Sequence, residues 1–330
     1  MDRVLNWGVL GTGRMAARFV TQVQNLPGHR FVACGSRSLE AATAFATSFN
    51  IGNFYGTYGD VLRDESVEIV YVCLPTNLHK EWSIRAAAAG KHVLCEKPLT
   101  VNYSEAEAVV AAARTNDVFL MEAFMYRCHP QVTRLMEVLR EGRIGDVRLI
   151  QASFSYDMGY QPLNIRMQNA LAGGAILDVG GYPVSAARLI AGEEPVECKA
   201  VARIGSESRV DEITSIVSKF PSGIVANLTC GMQVAVEQAV TVYGSKGRAH
   251  VPAPWFGVPE AKLVISSADG SVSEELVDVG GPPIFALEAE HVRRHLDARE
   301  APAMPWQDSL GNMASLDGLR NSIGLHFDCE

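Results

Sequence analysis

Three residues in this 330-residue chain have types and surroundings suited to moving a proton: Lys97, Asp178 and Tyr182. Lys97 stands in Cys95-Glu96-Lys97-Pro98, just past the apolar run Val93-Leu94-Cys95. In an open parallel sheet, ligands bind outside the carboxyl ends of the strands. A lysine there can touch both a cofactor ribose and a substrate oxygen. Asp178 and Tyr182 lie in Gly173-Gly174-Ala175-Ile176-Leu177-Asp178-Val179-Gly180-Gly181-Tyr182-Pro183, four residues apart. In a helical turn that spacing puts an acid and a phenol on one face. The paired glycines are poor helix formers and point to close backbone approach. Each residue also has a plainer reading: a surface charge before a turn, a helix-capping Asp and a core Tyr.

A second constellation concerns a cofactor. Gly11-Thr12-Gly13-Arg14-Met15-Ala16 follows an apolar run, Val4–Leu10, and opens a helical pattern. This is the G-x-G-x-x-A form of the dinucleotide fingerprint. The first Gly makes the tight turn, the second lets a pyrophosphate approach, and the small third residue lets helix and strand pack. The phosphates then rest on the helix N-terminus. NAD binders place an Asp or Glu at the end of the second strand. Here that position reads Gly35-Ser36-Arg37-Ser38, and the first acid is Glu40. Arg37, with Ser36 and Arg14 beside it, suits a ribose 2′-phosphate. NADP is therefore the expected cofactor, preferred over NAD.

The elements that must position these residues follow from periodicity. Over 1–123, strand and helix signals alternate, which predicts a Rossmann domain, a doubly wound parallel sheet with right-handed crossovers. The predicted helices are Met15–Val23, Leu39–Phe49, His79–Ala89 and Ser104–Arg114. After about residue 123 period-two runs separated by turn signals take over, which predicts an α/β domain over 124–330 with an open, mainly antiparallel sheet. Helices are expected there near 131–140, 177–189, 285–296 and 308–323.

Lys and Arg number 29 against 37 Asp and Glu, a net charge of −8. Residues 1–123 carry 11 against 12, and 124–330 carry 18 against 25, so the acidity sits in the second domain. This argues against nucleic acid or an anionic membrane surface as partner. It leaves room for one small anionic ligand on the near-neutral first domain. No apolar run approaches the roughly 18 residues of a membrane span, and the N-terminus lacks signal-peptide organisation. Seven cysteines without C-x-x-C spacing read as reduced thiols of a cytoplasmic protein. His291 and His295 have zinc-compatible spacing but two arginines between them, so no metal is expected. Gly244-Ser245-Lys246-Gly247 reads as a hairpin turn.

Together, Gly11–Ala16, Leu74-Pro75-Thr76-Asn77-Leu78-His79, Glu96-Lys97-Pro98, Glu122–Arg127, Gly173–Tyr182 and Asp308–Asn312 resemble the Gfo/Idh/MocA oxidoreductases over nearly the whole chain. Many members end the Asp-x-Gly-x-(His or Tyr) motif in His. Tyr182 is similar to the branch with dimeric dihydrodiol dehydrogenase, glucose–fructose oxidoreductase and NADP-linked xylose dehydrogenases. The resemblance implies hydride exchange with a carbinol or carbonyl carbon of a sugar, polyol or cyclic diol. It implies Tyr182 as acid/base, its phenol made more acidic by the Lys97 ammonium. Lys97 would also stabilise alkoxide charge, and Asp178 would orient substrate or Tyr182. Leu74, Pro75, Asn77, His79 and Glu96 would join Gly11, Thr12, Gly13, Arg14 and Met15 around the cofactor. Arg166, Tyr156 and Tyr126 are candidates for the substrate. A homodimer, or dimer of dimers, through the second sheet is the expected assembly. Other readings are a nucleotide-binding regulatory protein, a nucleotide-sugar ketoreductase or a biliverdin-reductase-like enzyme. The ketoreductase would need a further basic or aromatic groove, which the sequence does not display.

Overall fold

The computed structural model describes residues 3–258, 260–278 and 280–330. It divides into two compact units, residues 1–124 with 283–310, and residues 125–282 with 311–330.

In the first unit β1 (Leu5–Leu10), α1 (Arg14–Val23), β2 (His29–Gly35), α2 (Leu39–Phe49), β3 (Asn53–Tyr55), α3 (Tyr58–Arg63), β4 (Ile69–Val72), α4 (His79–Ala88), β5 (His92–Glu96), α5 (Tyr103–Thr115) and β6 (Leu120–Ala123) follow in order. The six strands pair in parallel in the order β3-β2-β1-β4-β5-β6. The order reverses between β1 and β4, and their carboxyl ends flank the crevice where a dinucleotide binds in such sheets. All of β4 is buried, as expected of a strand covered on both faces. Helix α1 buries Ala16, Phe19, Val20 and Val23, one stripe at helical spacing. Ser38, Thr57 and Asn102 cap α2, α3 and α5, each accepting a backbone N–H with its side chain.

The second unit begins with α6 (Pro130–Arg140), β7 (Val147–Ser155) and α7 (Gly181–Ala191). It continues with β8 (Glu197–Ile204), β9 (Asp211–Lys219), β10 (Val225–Gly231), β11 (Ala239–Gly244), β12 (Gly247–Pro252), β13 (Ala261–Ser267) and β14 (Val272–Val277). These form an eight-stranded sheet in the order β14-β13-β12-β11-β7-β10-β9-β8. Only β7 and β10 pair in parallel. Ile150, Ala152, Ile216 and Leu228 line its buried face, and α7 packs on β7 and β10. Val201 and Val217 project from the other face, 79% and 53% exposed.

Two expectations need correction. The helix anticipated over 177–189 opens instead as a π-helical turn, Ile176–Gly180, and becomes α-helical only at Gly181. The second domain is also not continuous over 124–330, because 283–310 belongs to the first unit. That segment holds α8 (Ile284–His295) and the start of α9 (Trp306–Ser322). Phe285 on α8 is 1% exposed, with its ring 6.1 Å from that of Phe19 on α1. Burying such a side chain is worth roughly 1.5–3 kcal/mol. The Phe285 N–H donates to Gln22, and the Trp306 indole donates to the Leu120 carbonyl. An amphipathic pattern shows that a helix docks, not on which domain.

Candidate active site

In the first unit the fingerprint turn is shaped by sterics. Gly11 has φ +99°, and a Cβ there would lie 2.3 Å from the Cys73 carbonyl oxygen. Only glycine serves both requirements. Gly13 caps α1 with no side-chain bond, and a Cβ on it would meet nothing within 4 Å. The first N–H groups of α1 thus have no capping side chain, as at helix ends that receive an anion. Ala16 is fully buried, while Thr12 and Met15 are half-buried.

Arg14 and Arg37 are exposed, and Ser36 is half-buried. Arg37 lies near the Tyr58 phenol, whose pKa burial raises and the Arg37 charge partly offsets. The sequence reading did not single out Tyr58. Leu74 and Pro75 lead into a short 3₁₀ turn, Thr76–Leu78. Within it the buried Asn77 Oδ1 has no hydrogen-bond partner. An orphaned amide atom beside the β1/β4 crevice fits a dinucleotide that supplies the missing partner.

Lys97 follows the end of β5, is half-buried, and precedes a cis Lys97–Pro98 peptide. Glu96 is 7% exposed, accepts from the Tyr71 hydroxyl, and accepts the Lys97 N–H at 3.3 Å. Both oxygens of Glu96 therefore have donors within its own unit. The Cys73 thiol is pushed up by burial and by Glu96, partly offset by an Ala16 backbone bond and the Lys97 charge. His79, expected to join the cofactor site, is held by backbone carbonyls. It is 1% exposed, with Nδ1 and Nε2 each 2.8 Å from a carbonyl, those of Pro98 and Leu74. Burial lowers its pKa against the pull of those carbonyls, and Lys97 lowers it further. His79 ties the loop after β4 to the loop after Lys97.

In the second unit the π-helical turn carries Asp178, and Tyr182 follows in the first turn of α7. Arg166 Nε donates to Asp178 Oδ2 at 2.9 Å, and the Tyr156 hydroxyl donates to the same oxygen. Burial and the Asp178 charge raise the Tyr156 pKa, so it remains a donor. The structure thus joins three residues that the sequence suggests separately, and Arg166 is bound to a carboxylate. Tyr182 is 3% exposed, with its hydroxyl 3.4 Å from Met125 Sδ. Its ring lies 5.0 Å from Phe154 and 5.7 Å from Tyr126 and Trp255. Tyr126, a substrate candidate by sequence, is 2% exposed and donates to Ser185 at 2.9 Å. It packs beside Tyr182 as support. Phe154 and Trp255, the other walls of this aromatic cluster, carry no motif and were missed.

Outside these regions, His291 and His295 stack with centroids 4.3 Å apart. His291 Nε2 accepts the Ala303 N–H, and burial, His295 and Arg294 lower its pKa to about 4. Among the described residues no cysteine forms a disulfide. Among the described residues no helix is long and apolar enough to cross a membrane.

Comparison with known proteins matches both units of the chain. Residues 5–124 match the model of an oxidoreductase family with an NAD-binding Rossmann fold, and residues 132–250 match the GFO/IDH/MocA C-terminal domain. The chain is 34% identical over 333 residues to trans-1,2-dihydrobenzene-1,2-diol dehydrogenase of Mus musculus, covering 98% of both chains. A 3-ketoreductase from Actinomadura kijaniata, solved with NADP and TDP-benzene, superposes with a TM-score of 0.89 at 32% identity, covering 97% of this chain and 98% of the other. Aldose-aldose oxidoreductase from Caulobacter crescentus, complexed with glycerol, gives 0.88 at 27% identity, covering 97% of each. With both of its units matched, this chain belongs to the Gfo/Idh/MocA family of NAD(P)-binding oxidoreductases.

Proposed function

We propose that the protein is an NADP(H)-preferring oxidoreductase acting on a CH–OH group of a sugar, polyol or cyclic diol. The observation that carries this reading is the set Arg166–Asp178–Tyr156 on and beside the turn that leads into Tyr182. A carboxylate held by an arginine and a phenol is a fixed acceptor for a substrate hydroxyl next to the reacting one. The bound nicotinamide supplies or accepts the hydride. The chain must then move the matching proton, which is the part we assign to the Tyr182 phenol. Lys97, with its backbone N–H tied to Glu96, offers an ammonium to the same oxygen and stabilises developing alkoxide charge. Arg37, with Arg14 and Ser36, favours a 2′-phosphate, and no acid stands between the end of β2 and Glu40. The relatives named for diols and aldoses support the substrate class.

Val201 and Val217 on the open face of the eight-stranded sheet support association of two copies there, as a dimer or dimer of dimers. Seven cysteines outside any disulfide suit the reducing cytoplasm. The test is a screen of pentoses, hexoses, inositols and diols with NADP⁺ and NAD⁺, followed at the nicotinamide absorbance. We expect turnover with at least one of them, faster with NADP⁺, and a loss of about 100-fold or more in Tyr182→Phe. Undiminished turnover in Tyr182→Phe would remove Tyr182 from the chemistry.

A further inference from the structure

The π-helical turn that carries Asp178 has no cap of its own. Its N-cap residue is Ala175, which has no side-chain acceptor. The first N–H groups of any helix need partners from elsewhere. One comes from across the unit. Asp211, the first residue of β9, is 0% exposed, and its Oδ2 accepts the Ile176 N–H at 2.8 Å. The same oxygen accepts from Thr214 Oγ1 at 2.8 Å. Its other oxygen, Oδ1, is buried without a partner. It occupies the space that a side chain on Gly174 would need: a Cβ there would lie 2.3 Å from Oδ1, and Gly174 has φ +112°. Gly174 in turn accepts the Asp178 N–H at 2.9 Å. At the far end of the turn Gly180 lies against β10, where a Cβ would approach Cys230 Sγ to 3.0 Å. Asp211 therefore holds the entry to the turn while Gly180 lets its exit sit down on the sheet.

We propose that Asp211 is a positioning residue of the active site, capping the turn so that Asp178 and Tyr182 hold one fixed relative placement. This rests on the function proposed above. The placement matters because a π-helical turn is wider than an α-helical one and is held by few bonds of its own. A shift of about 1 Å in a catalytic group can cost about 100-fold in rate.

The groups that act on Asp211 come from every side. Thr214 lies on its own strand, the Ile176 N–H is on the turn, Cys230 lies on β10 and Arg320 on α9. Burial raises the carboxyl to about 7, against the opposing pull of Thr214, Ile176 and Arg320. Both of its bonds are accepted, so a neutral group with a carbonyl oxygen in the same place does the same work. Asparagine meets that description and leucine does not.

The test compares Asp211→Leu, Asp211→Asn and Tyr182→Phe. Turnover is expressed per NADPH-binding site, counted by nicotinamide fluorescence, so that only folded protein is scored. We expect Asp211→Leu to lose about 100-fold in kcat while the Kd for NADPH, bound by the other unit, stays within about threefold. Asp211→Asn should recover turnover to within about threefold of the natural protein, since it keeps the acceptor. If Asp211→Leu does not fold, Asp211→Ser takes its place, with a hydroxyl too short to reach the turn. Wild-type turnover in Asp211→Leu or Asp211→Ser overturns the proposal. So does an Asp211→Asn as damaged as Asp211→Leu, since charge or bulk, not the cap, would then be at stake. If Tyr182→Phe, which leaves Asp211 untouched, keeps full turnover, the underlying reading fails and the proposal with it. A dead Tyr182→Phe beside an active Asp211→Leu overturns the proposal alone.

Discussion

The cofactor region of the first unit and the Asp178–Tyr182 region of the second are built on opposite plans. The first is left open: an uncapped helix end, a bare Gly13, exposed arginines and an Asn77 oxygen without a partner. The second is closed upon itself. Asp178 already holds Arg166 and Tyr156, Tyr182 is buried among aromatic rings, and Asp211 caps the turn beneath them. A cofactor common to many enzymes can be met by backbone, whose N–H groups need no particular side chain. Proton transfer to one substrate oxygen needs side chains fixed in advance, and each must be held by another.

The first way to break this contrast is to spoil the backbone of the open region. Gly11→Ala places a Cβ against the Cys73 carbonyl at a φ that L-residues avoid. We expect a loss of about 3 kcal/mol or more, seen as weakened NADPH binding and a lower Tm. Wild-type binding by fluorescence titration would show that the turn has slack. A smaller effect tests the charge at the same region. Arg37→Asp should move the NADP/NAD preference toward NAD by about 10- to 100-fold in kcat/KM, the worth of a charge-assisted contact. An unchanged ratio removes Arg37 from the phosphate.

The smallest effect concerns a group in neither plan. Glu288 on α8 is fully buried, both its oxygens lack partners, and burial and Glu96 raise its pKa well above the ordinary value. Its folded form holds the proton after the unfolded chain has lost it. The stability it lends below pH 4.5 is therefore lost as pH rises toward its folded pKa. Glu288→Gln should raise Tm at pH 7 by a few degrees, a gain on the order of 1 kcal/mol that shrinks as pH falls. A gain independent of pH would point to packing instead.

Legibility in the sequence follows the same division. Gly11–Ala16 and the helix after it were readable because backbone geometry demands particular small residues in particular places. The short elements were not: β3 spans three residues at the sheet edge, and α3 only six. β12 and β14 escaped because Arg248 and His250, and Glu274 and Glu275, interrupt the apolar alternation on strands open to solvent. Asp178 and Tyr182 were found by spacing; Arg166, Tyr156 and Tyr126 were named only for the substrate, and Phe154, Trp255 and Asp211 not at all. Asp211 lies 35 residues from the N–H it caps, and nothing in the local pattern distinguishes it from a strand-opening turn residue. The docking of α8 was hidden likewise, since its apolar stripe fits either unit.

We propose that cofactor binding and proton transfer are separable properties, with Lys97 serving the second. Lys97→Met tests it most directly, with turnover on the best CH–OH substrate and NADPH affinity measured on one preparation. We expect NADPH binding within about threefold of the natural protein and turnover reduced by about 100-fold or more. Near-normal turnover in Lys97→Met would contradict it.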